Sequence, residues 1–428
     1  MSAPGHLPRL LRGVSADRRM SHEDHEREHG RLPVPDRASA SGLIDEVELA
    51  GLRGRGGADF PTAIKLRSVR EAGRGAIVVA NGAEGEPCST KDRLLLESTP
   101  HLVLDGAALA AAAVGAREAL VCVPEDNDAA LRSVAASIEE RPRETRSAAR
   151  LRLRPVPHRF IAGEESALVN HLNGGPIKPT LVPPRPFERG VDRRPTLVSN
   201  VETLAHLALI ARHGGDWFRG LGTAAQPGSA LITLSGAVAR AGVYEIALGM
   251  RLVDVVETAG GLTERVGGVL VGGYFGSWIA PGELSAITFD DLGLSRFGAA
   301  LGAGAFFLLP ATACGVSETA RVIAYLARES AGQCGPCTHG LAAIADAWWR
   351  VAAGRGDGRD TERVARWCAQ VRGRGACHHP DGAVRLLASA LTAFAGEVDL
   401  HTVEGRCSAQ QHHPVLPIPV PPAEVSAA

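Results

Sequence analysis

The sequence predicts an α/β domain built on a parallel sheet, then a small β-rich module, then a C-terminal helical region. Three observations lead to this prediction. In the first half of the chain, short apolar runs typical of buried strands alternate with helical stretches, a pattern that favours a parallel sheet. Near Gly228 short strand candidates surround a turn, and beyond Thr312 the pattern is helical. The 428 residues are enough for roughly two to four domains.

The first half begins with residues 1–40, which are polar and are expected to form a mobile N-terminal extension. A Pro- and Arg-rich loop runs from Gly174 to Pro195, and loops of this length in a compact domain are usually functional. The predicted strands are Ala76–Ala80 and Leu120–Val123, and the predicted helices are Leu102–Val114 and Asn127–Ile138.

The second half starts with two strand candidates, Ala230–Gly236 and Gly242–Ile246, and a short helix at Arg251–Ala259. Four helices are predicted after them, an arrangement that can hold a cofactor between its helices. The tail from Pro414 to Ala428 is rich in proline and is expected to be irregular. The four helices are Ser317–Arg328, Gly340–Val351, Asp360–Val371 and Gly382–Phe394.

Composition and charge exclude several classes of protein. A net charge of −1 provides no field that would attract nucleic acid or an acidic membrane, and 4% aromatic residues argue against a base-stacking protein. The nearest candidate for a membrane span, Leu104 to Ala116, contains Asp105 and is expected to be a buried helix. The N-terminus lacks a secretory apolar region, so we expect a cytoplasmic protein.

A glycine-rich loop at residues 51–65 is the densest signal in the first half. Glycines allow the backbone to approach a ligand closely, and clustered N–H groups at a helix start bind phosphate well. Lys65, just inside the following helix, is placed to neutralise phosphate charge. The same spacing also fits a plain loop without a ligand.

Cysteine spacing indicates a metal site. Eight cysteines in a chain of this size do not suggest a disulfide scaffold, and four of them lie within residues 334–377. Thiolates are the standard ligands of iron–sulfur clusters, and closely spaced cysteines in a Gly/Pro loop can point at one centre. Zinc is the alternative, because three cysteines and a histidine are a common structural set. Cys407 has no assigned role.

Four ordered segments resemble the flavin subunit of NADH:quinone oxidoreductase. Residues 51–65 resemble G-L-R-G-R-G-G-A-G-F-P-T-G-x-K, with Asp59 and Ala63 in place of glycines. Residues 81–93 resemble N-A-D-E-x-E-P-G-T-x-K-D-R, with Ala83 in place of the aspartate. The other two segments are 160–168, similar to Y-I-C-G-E-E-T-A-L, and 195–203, similar to P-T-T-V-N-N-V-E-T.

The cysteine segments continue the resemblance. Residues 329–337 resemble E-S-C-G-x-C-x-P-C and residues 371–377 resemble I-x-G-x-x-x-C, but Ala331 stands at the first cysteine. A [4Fe–4S] cluster would therefore have three cysteine ligands, Cys334, Cys337 and Cys377. A [3Fe–4S] cluster, an iron with an open position, or a relict site without a cluster remain open. The candidates for a fourth ligand are His339, His378, His379 and Cys368.

The resemblance also implies a flavin site. Glu86 would lie where the nicotinamide of NADH meets the FMN ring, and is the candidate catalytic residue. Of the aromatic residues that hold the adenine of NADH in the family, Phe60 remains, whereas Ser68 and Arg185 replace two others and Val182 replaces a lysine. The residues implied at the cofactors are Gly54, Arg55, Gly56, Gly57, Phe60, Lys65, Asn81, Glu84, Glu86, Phe160, Gly163, Glu164, Glu165, Ser199 and Asn200.

The implied domain order follows the family. After the extension at 1–40 come an FMN/NADH-binding α/β domain at 41–226, a β-grasp (soluble-ligand-binding) domain at 227–280, a connecting segment at 281–312, a helical-bundle iron–sulfur domain at 313–400 and a Pro-rich tail at 401–428. The implied partners are ferredoxin-like or thioredoxin-like electron-transfer subunits, with no nucleic acid, and membrane contact only through those partners.

The expected function is electron transfer from NADH through FMN and the cluster to a partner subunit, linked to quinone in the family. Three alternatives stay open. In the first, a protein donor takes the place of NADH and the chain is an FMN and iron–sulfur relay, with NADPH as a related option. In the second, the chain is a scaffold that has lost its cofactors. In the third, it is the diaphorase subunit of a soluble hydrogenase or formate dehydrogenase.

Overall fold

The described part of the chain contains two β-sheets, each with its own helices, and a C-terminal group of helices. The structure is a computed structural model that describes residues 6–15, 18–33, 39–73, 75–141, 149–356, 359–410 and 413–419. Within these residues, no helix is both long enough and apolar enough to cross a membrane.

The first sheet contains four parallel strands in the order β3-β2-β1-β4. The two central strands are almost entirely buried, which explains why they appear in the sequence as continuous apolar runs. The outer strand β3 carries arginines on alternate positions. It was not predicted, because these residues interrupt the apolar run by which the other strands were recognised. The strands are β1 Ile77–Asn81, β2 Glu118–Pro124, β3 Arg150–Val156 and β4 Thr196–Asn200.

This strand order creates a crevice at the carboxyl end of the sheet. The chain passes from β1 to β2 and β3 in one direction, and β4 lies on the opposite side of β1. The segments that leave β1 and β4 therefore run apart, and ligands of open α/β sheets bind at such a switch point. Asn81 and Asn200 are register partners at the ends of these two strands.

Helices surround the first sheet. The helices predicted at 102–114 and 127–138 are confirmed as α5 and α6. Helix α5 is buried along nearly its whole length and packs against α9 so closely that a Cβ atom on Gly106 would lie 1.9 Å from the Leu204 carbonyl oxygen. The helices of this domain are α1 His22–His29, α2 Ser39–Ala50, α3 Thr62–Glu71, α4 Lys91–Ser98, α5 Pro100–Val114, α6 Asp128–Glu140, α7 Glu165–Leu172, α8 Pro186–Arg189, α9 Val201–His213 and α10 Gly215–Arg219.

The described residues of the N-terminal segment pack against the protein, so the expectation of a mobile extension is wrong for them. Leu10 is fully buried, and Arg9 is only 4% exposed. The backbone N–H groups of Arg9 and Leu10 both donate to Glu245 Oε2, at 2.7 and 2.8 Å. His25 Nε2 lies 2.8 Å from Asp105 Oδ2 inside the domain. Polar residues of this segment find buried partners that the sequence pattern does not reveal.

The second sheet contains five strands in the order β6-β5-β9-β7-β8. The predicted strands at 230–236 and 242–246 and the predicted helix at 251–259 are confirmed. Strand β9 lies in the centre of the sheet, paired with β5 and β7, although its residues fall in the predicted connecting segment 281–312. The module therefore extends to Pro310, beyond the predicted end at residue 280. Its elements are β5 Ser229–Gly236, β6 Gly242–Ala247, α11 Leu252–Thr258, β7 Val266–Val271, β8 Ser277–Ile279, α12 Asp291–Ser295 and β9 Ala305–Pro310.

The C-terminal region is helical, as predicted. The tail beyond it is irregular among its described residues, but Leu416 is buried, and the backbone N–H groups of Val415 and Leu416 donate to Glu318 at 3.3 and 2.9 Å. Two π-helical turns interrupt the region, at Pro336–Leu341 and Leu400–Glu404. The helices are α13 Gly315–Arg328, α14 Ala342–Ala352, α15 Asp360–Val371, α16 His379–Ala393 and α17 Ala395–Asp399.

Candidate functional site

Two asparagine amides are fixed at the switch point of the first sheet. Asn81 Nδ2 donates to the Gly163 carbonyl oxygen at 3.1 Å, while its Oδ1 accepts from the Ala83 N–H at 3.1 Å. Asn200 begins α9, where its Oδ1 accepts from the Glu202 N–H at 3.0 Å and its Nδ2 donates to Asp92 at 2.6 Å. These bonds hold the edge of the crevice in one arrangement, which is what a planar ligand needs.

The glycine-rich loop lies directly beside Asn200. A Cβ atom on Gly56 would lie 3.2 Å from the Cβ atom of Asn200, so a side chain at this position would crowd the crevice. The residues Gly57 and Asp59 both have positive φ angles, 101° and 48°. Asp59 adopts the conformation that the family's glycine would adopt, and an ion pair to Arg53 at 2.5 Å supports it there.

The loop keeps donors available for an anion. Among the described residues, neither Gly56 nor Gly57 donates its backbone N–H to another group of the chain. Lys65 lies in the first turn of α3 and forms an ion pair with Glu165 at the start of α7. Free N–H groups next to a lysine at a helix start fit a phosphate group.

Arg55 is different from its neighbours, because its side chain points into the protein. The side chain is 4% exposed, and Nη2 donates to the Ser229 carbonyl oxygen of β5 at 3.1 Å. Its backbone N–H donates to Thr203 Oγ1 at 2.8 Å. Burial lowers the pKa of the Arg55 guanidinium, and Glu202 partly offsets this effect. Arg55 therefore anchors the loop rather than contacting a ligand in the crevice.

Two carboxylates predicted at the flavin serve as helix caps. Glu84 accepts the backbone N–H groups of Asp92 and Arg93 at 3.1 and 3.0 Å and so caps α4. Glu164 accepts the N–H of Ala167 at 2.7 Å and caps α7. Each carboxylate positions a helix start near the crevice, and carboxylates are favourable at this end of a helix.

A buried ionic network supports the same region, and the sequence alone did not reveal it. Lys91 Nζ lies 2.7 Å from Asp92 Oδ1 and 2.8 Å from Glu202 Oε2, and all three residues are buried. Glu202 Oε1 accepts the Leu231 N–H at 2.9 Å, which ties α9 to the second sheet. The K-D-R and N-V-E-T letters of the motifs contain these residues, but only the fold shows that they meet.

Glu86 lies between the first domain and the second sheet. Its Oε2 accepts the Tyr274 N–H at 2.7 Å, and its Oε1 accepts the Cys88 N–H at 3.1 Å. A Cβ atom on Gly273 would lie 2.5 Å from Oε2, so the turn after β7 closes over this carboxyl group. Burial raises the pKa of Glu86 to about 7, although the two N–H donors act in the opposite direction.

We predict that replacing Glu86 with glutamine removes a pH dependence of stability. Because the folded protein raises this pKa from 4.5 to about 7, the folded state holds a proton that the unfolded state has released. The free energy of unfolding therefore falls as pH rises through this window, by up to about 3 kcal/mol. Denaturant titration of flavin-free protein at pH 5 and 8 measures the fall for wild type, Glu86→Gln and the exposed control Glu283→Gln. An equal fall in wild type and Glu86→Gln would refute the prediction.

The predicted nucleotide region contains one exposed ring. Phe60 is 50% exposed, as is needed for a ring that stacks on a ligand. Ser68 donates its hydroxyl to the Ile64 carbonyl oxygen at 2.9 Å. Arg185 is exposed at the start of α8, where its backbone N–H donates to Glu188 at 2.8 Å. Leu181 in the same Pro-rich loop is 86% exposed.

Phe160 connects the crevice to the helical region. The centroid of its ring lies 4.6 Å from that of Phe275, 6.0 Å from that of Tyr325 and 5.8 Å from that of His379. Its backbone N–H donates to Glu329 Oε2 at 3.1 Å. Glu329 begins the segment that carries the first cysteines, so the two motifs meet directly in the structure.

Of the three thiols predicted as ligands, Cys334 and Cys337 interact directly, and Cys377 lies near enough to influence the pKa of Cys337. The backbone N–H groups of Ala376 and Cys337 and the Cys337 thiol all favour the ionised form of Cys334. Burial opposes ionisation of Cys334, but these groups outweigh it and lower the pKa of the thiol. Burial and the neighbouring Cys334 raise the pKa of Cys337 to about 12. Burial raises the pKa of Cys377, and the His379 N–H partly offsets this effect. Clustered sulfurs that receive N–H donors fit an iron–sulfur cluster.

The structure does not supply an obvious fourth ligand among the four candidates. Cys368 is buried in the core of the helical region. His379 is buried as well, with Nε2 2.7 Å from the Leu326 carbonyl oxygen. His378 is fully exposed and faces Asp381 at 3.8 Å, and His339 is exposed. Ala331, at the position of the family's first cysteine, is buried.

Comparison with known proteins gives three matching family models. They are the Nuo51 FMN-binding domain over residues 47–209, the SLBB domain over 231–271, and the NADH-ubiquinone oxidoreductase-F iron-sulfur binding region over 317–401. Fold and site together thus define a protein with an FMN-binding α/β domain, an SLBB domain and a 4Fe–4S binding region.

Relatives of similar length identify the family. An NADH-quinone oxidoreductase F subunit of Rhizobium meliloti (strain 1021), the one numbered F 2, is 35% identical over 379 residues, which cover 85% of this chain and 90% of that protein. The NADH-quinone oxidoreductase F subunit of Mycobacterium bovis (strain ATCC BAA-935 / AF2122/97) is 32% identical, with 85% of each chain covered. The chain belongs to the family of NADH-quinone oxidoreductase F subunits.

A solved structure with the same fold is an NAD+-reducing [NiFe]-hydrogenase in the H2-reduced state. The TM-score is 0.79 and the sequence identity is 32%, over 86% of this chain. The chain spans 63% of the length of that hydrogenase chain. The predicted fold class is therefore confirmed as a flavin-binding α/β domain with an SLBB domain and an iron–sulfur region.

Proposed function

We propose that this chain is the NADH-oxidising electron-transfer subunit of a larger complex, with FMN in the crevice and an iron–sulfur cluster at the three thiols. The observation that carries the proposal is the direct contact between the two cofactor motifs. Arg159 and Phe160 both donate to Glu329, at 2.8 and 3.1 Å, so the segment entering α7 is held against the segment leading to Cys334.

Different groups of residues would hold the phosphate of FMN, its polar edges and the iron of the cluster. NADH gives up two electrons at once, whereas an iron–sulfur cluster accepts one at a time. When bound, FMN would supply the conversion between the two. The N–H groups of Gly56 and Gly57 with Lys65 would hold its phosphate, and Gly54, whose N–H donates to the Phe60 carbonyl oxygen, would shape the loop around it. Asn81, Ser199 and Asn200 would hold its polar edges, with the Gly163 backbone beside Asn81. Cys334, Cys337 and Cys377 would hold the iron.

Glu86 is proposed as the residue at which the nicotinamide meets the flavin ring. The carboxyl group is held by two N–H donors, so it is oriented before any ligand binds. With a pKa near 7, its charge also changes over the physiological range. We assign it a positioning role and no obligatory proton transfer.

The finer architecture is also part of the proposal. The five-stranded sheet with α11 is proposed as a β-grasp domain at residues 227–310, after the flavin domain at 41–226. The helices at 313–400 are proposed as a helical bundle around the cluster. Partners would be ferredoxin-like or thioredoxin-like electron-transfer subunits in the cytoplasm, with quinone as the eventual acceptor.

A relay fed by a protein donor is the second candidate. The observation that favours it is the loss of aromatic residues: Phe60 is exposed, but Ser68 and Arg185 stand where the family has rings. An anaerobic visible spectrum, with flavin and iron quantified, separates the two. Bands that bleach on addition of NADH support NADH oxidation. Cofactors that are present but respond to neither NADH nor NADPH support the relay, and a protein without flavin or iron after reconstitution refutes both.

We predict that replacing Phe60 with alanine weakens NADH binding and leaves FMN content unchanged. Stacking on one ring contributes about 1–3 kcal/mol, so the KM for NADH is expected to rise by about tenfold. Ile64, which is 48% exposed in the first turn of the helix that follows Phe60, provides the matched control Ile64→Ala. Steady-state kinetics with an artificial acceptor measures the effect, and equal KM values for both variants would count against Phe60 as the stacking residue.

A further inference from the structure

Four metal-binding side chains meet at the end of the helical region, apart from the three cysteines already described. They are Cys314, Glu397, His401 and Cys407, and one ligand atom from each lies within 4.8 Å of the others. Cys314 begins α13, Glu397 lies in α17, His401 lies in the π-helical turn after it, and Cys407 follows in the tail. Cys314 and Cys407 lie outside the matched iron–sulfur region, which ends at residue 401.

The distances suit a tetrahedral metal ion. Cys314 Sγ lies 3.4 Å from His401 Nε2, and Nε2 lies 3.2 Å from Glu397 Oε1. Zinc bonds of roughly 2.3 Å to sulfur and 2.0–2.2 Å to nitrogen or oxygen place tetrahedral ligands about 3.3–3.8 Å apart. Glu397 and His401 are four residues apart on one helical face, the spacing that lets two side chains bind one ion.

The hydrogen bonds of His401 point to a missing cation. Its Nδ1 faces the Val351 carbonyl oxygen at 3.3 Å, and its Nε2 faces the Glu397 carboxylate. A neutral imidazole carries one proton and cannot donate to both of these acceptors, so the two contacts need a positive charge at Nε2, either a second proton or a metal ion that the neighbouring thiols would also bind. The side chain is 2% exposed, so bulk water does not resolve the conflict. When Nδ1–H donates to the Val351 carbonyl oxygen, the Nε2 lone pair is free to bind a metal ion. A backbone contact of this kind usually fixes that tautomer in metal-binding histidines.

The other ligands are also oriented by neighbours. The Ser317 N–H donates to Cys314 Sγ at 3.3 Å, which stabilises a thiolate at the start of a helix. Ser408 donates its N–H to Glu397 Oε1 at 2.9 Å and its hydroxyl to Oε2. Contacts of this kind are typical of prepared metal sites.

We propose that Cys314, Glu397, His401 and Cys407 bind one zinc ion. Four protein ligands leave no position for a substrate, so the site is structural. Its consequence is to fix the tail to the start of α13. Beyond Cys407, the tail buries Leu416 and accepts the Tyr274 hydroxyl on the Pro417 carbonyl oxygen. Since the Tyr274 N–H also holds Glu86, the zinc ion secures a segment that contacts the residue on which Glu86 rests.

Metal analysis and X-ray absorption at the zinc edge of the purified full-length chain test this proposal. We expect about one zinc per chain, with about two sulfur ligands and two nitrogen or oxygen ligands. Cys407→Ser should lower the zinc content to below about a fifth, whereas Cys368→Ser, a buried cysteine of the same region, should keep it. Cys334→Ser should lose iron and keep zinc.

Several results would overturn the proposal. They are a chain without zinc after growth in zinc-supplemented medium, a disulfide between Cys314 and Cys407 in peptide mapping, iron in place of zinc at these ligands, or a zinc spectrum with three sulfur ligands that depends on Cys334. If Cys407→Ser does not fold, the ligand count at the zinc edge of the wild-type chain decides alone. The outcome is independent of NADH oxidation, so it also distinguishes failure of this site from failure of the proposed function.

Discussion

Replacing Cys334 with serine is expected to remove the cluster and leave the flavin in place. Cys334 interacts with the Cys337 thiol and has its pKa lowered by nearby N–H groups, so it is the thiol of this group most readily ionised to bind iron. With Ala331 at the position of the family's first cysteine, the site has no spare thiolate among the residues that the motif supplies. Loss of one of three ligands therefore cannot be compensated from within the motif.

The expected size of the loss in activity can be estimated from substitutions of groups that only support a metal ligand. Altering a group that only supports a ligand costs 10–100-fold in metal affinity or activity, so loss of a direct ligand should lower reduction of a one-electron acceptor by at least about 100-fold. Iron content, electron paramagnetic resonance and acceptor reduction measure the effect, with flavin content as the internal reference.

Cys368→Ser is the matched control, because Cys368 is a buried cysteine in α15 that was a candidate fourth ligand. We expect it to retain iron and activity. If Cys334→Ser kept its full complement of iron, the three-thiol assignment would be wrong. If Cys368→Ser lost the cluster, Cys368 would have to move toward the thiols, contrary to its place in the core.

Replacing Lys65 with alanine is expected to weaken FMN binding by about 30-fold. Lys65 is the one lysine at the glycine-rich loop, and its side chain is 28% exposed. Removing one partner of a largely desolvated charge pair costs about 2 kcal/mol, which corresponds to this factor. The ion pair with Glu165 lowers the gain from phosphate binding, since Lys65 must share its charge with both groups.

Titration of flavin-free protein with FMN, followed by flavin fluorescence, gives the dissociation constants. Lys178→Ala is the matched control, because Lys178 is exposed in the Pro-rich loop. Riboflavin, which lacks the phosphate, should bind wild type and Lys65→Ala equally. A similar loss of riboflavin affinity would show that Lys65 supports the fold of the loop instead of contacting phosphate.

Much of the fold could be predicted from sequence because the core strands and helices carry a clear apolar pattern. The runs that form β1 and β2 are buried on both faces, and helix α15 has the predicted bounds, 360–371. Strands β3 and β9 were missed for opposite reasons. In β3, arginines alternate with leucines, so no continuous apolar run marks the strand. Strand β9 is apolar, but it lies far along the chain from its partner β5, so its place in the sheet could not be read from the sequence.

The position of each motif at the crevice could be predicted from the sequence. The contacts of its charged side chains could not, because each of them can bind either a ligand or a group of the protein itself. Gly56 and Asn81 lie at the crevice as expected, and the three cysteines converge. Arg55, Glu84 and Glu164 instead turn toward the protein to anchor a loop or cap a helix. The Cys314 and Cys407 pair was invisible in the sequence, because the two residues are separated by almost the whole helical region.

The packing of the N-terminal segment sets an order of events during synthesis. The Arg9 N–H donates to Glu245, a residue 236 positions further along the chain. At about 5–20 residues per second, the ribosome needs roughly 10–50 s to produce that partner after Arg9 has been made. During this interval the surface that buries Leu10 is incomplete, so a segment made long before its partner is among the last to reach its final place.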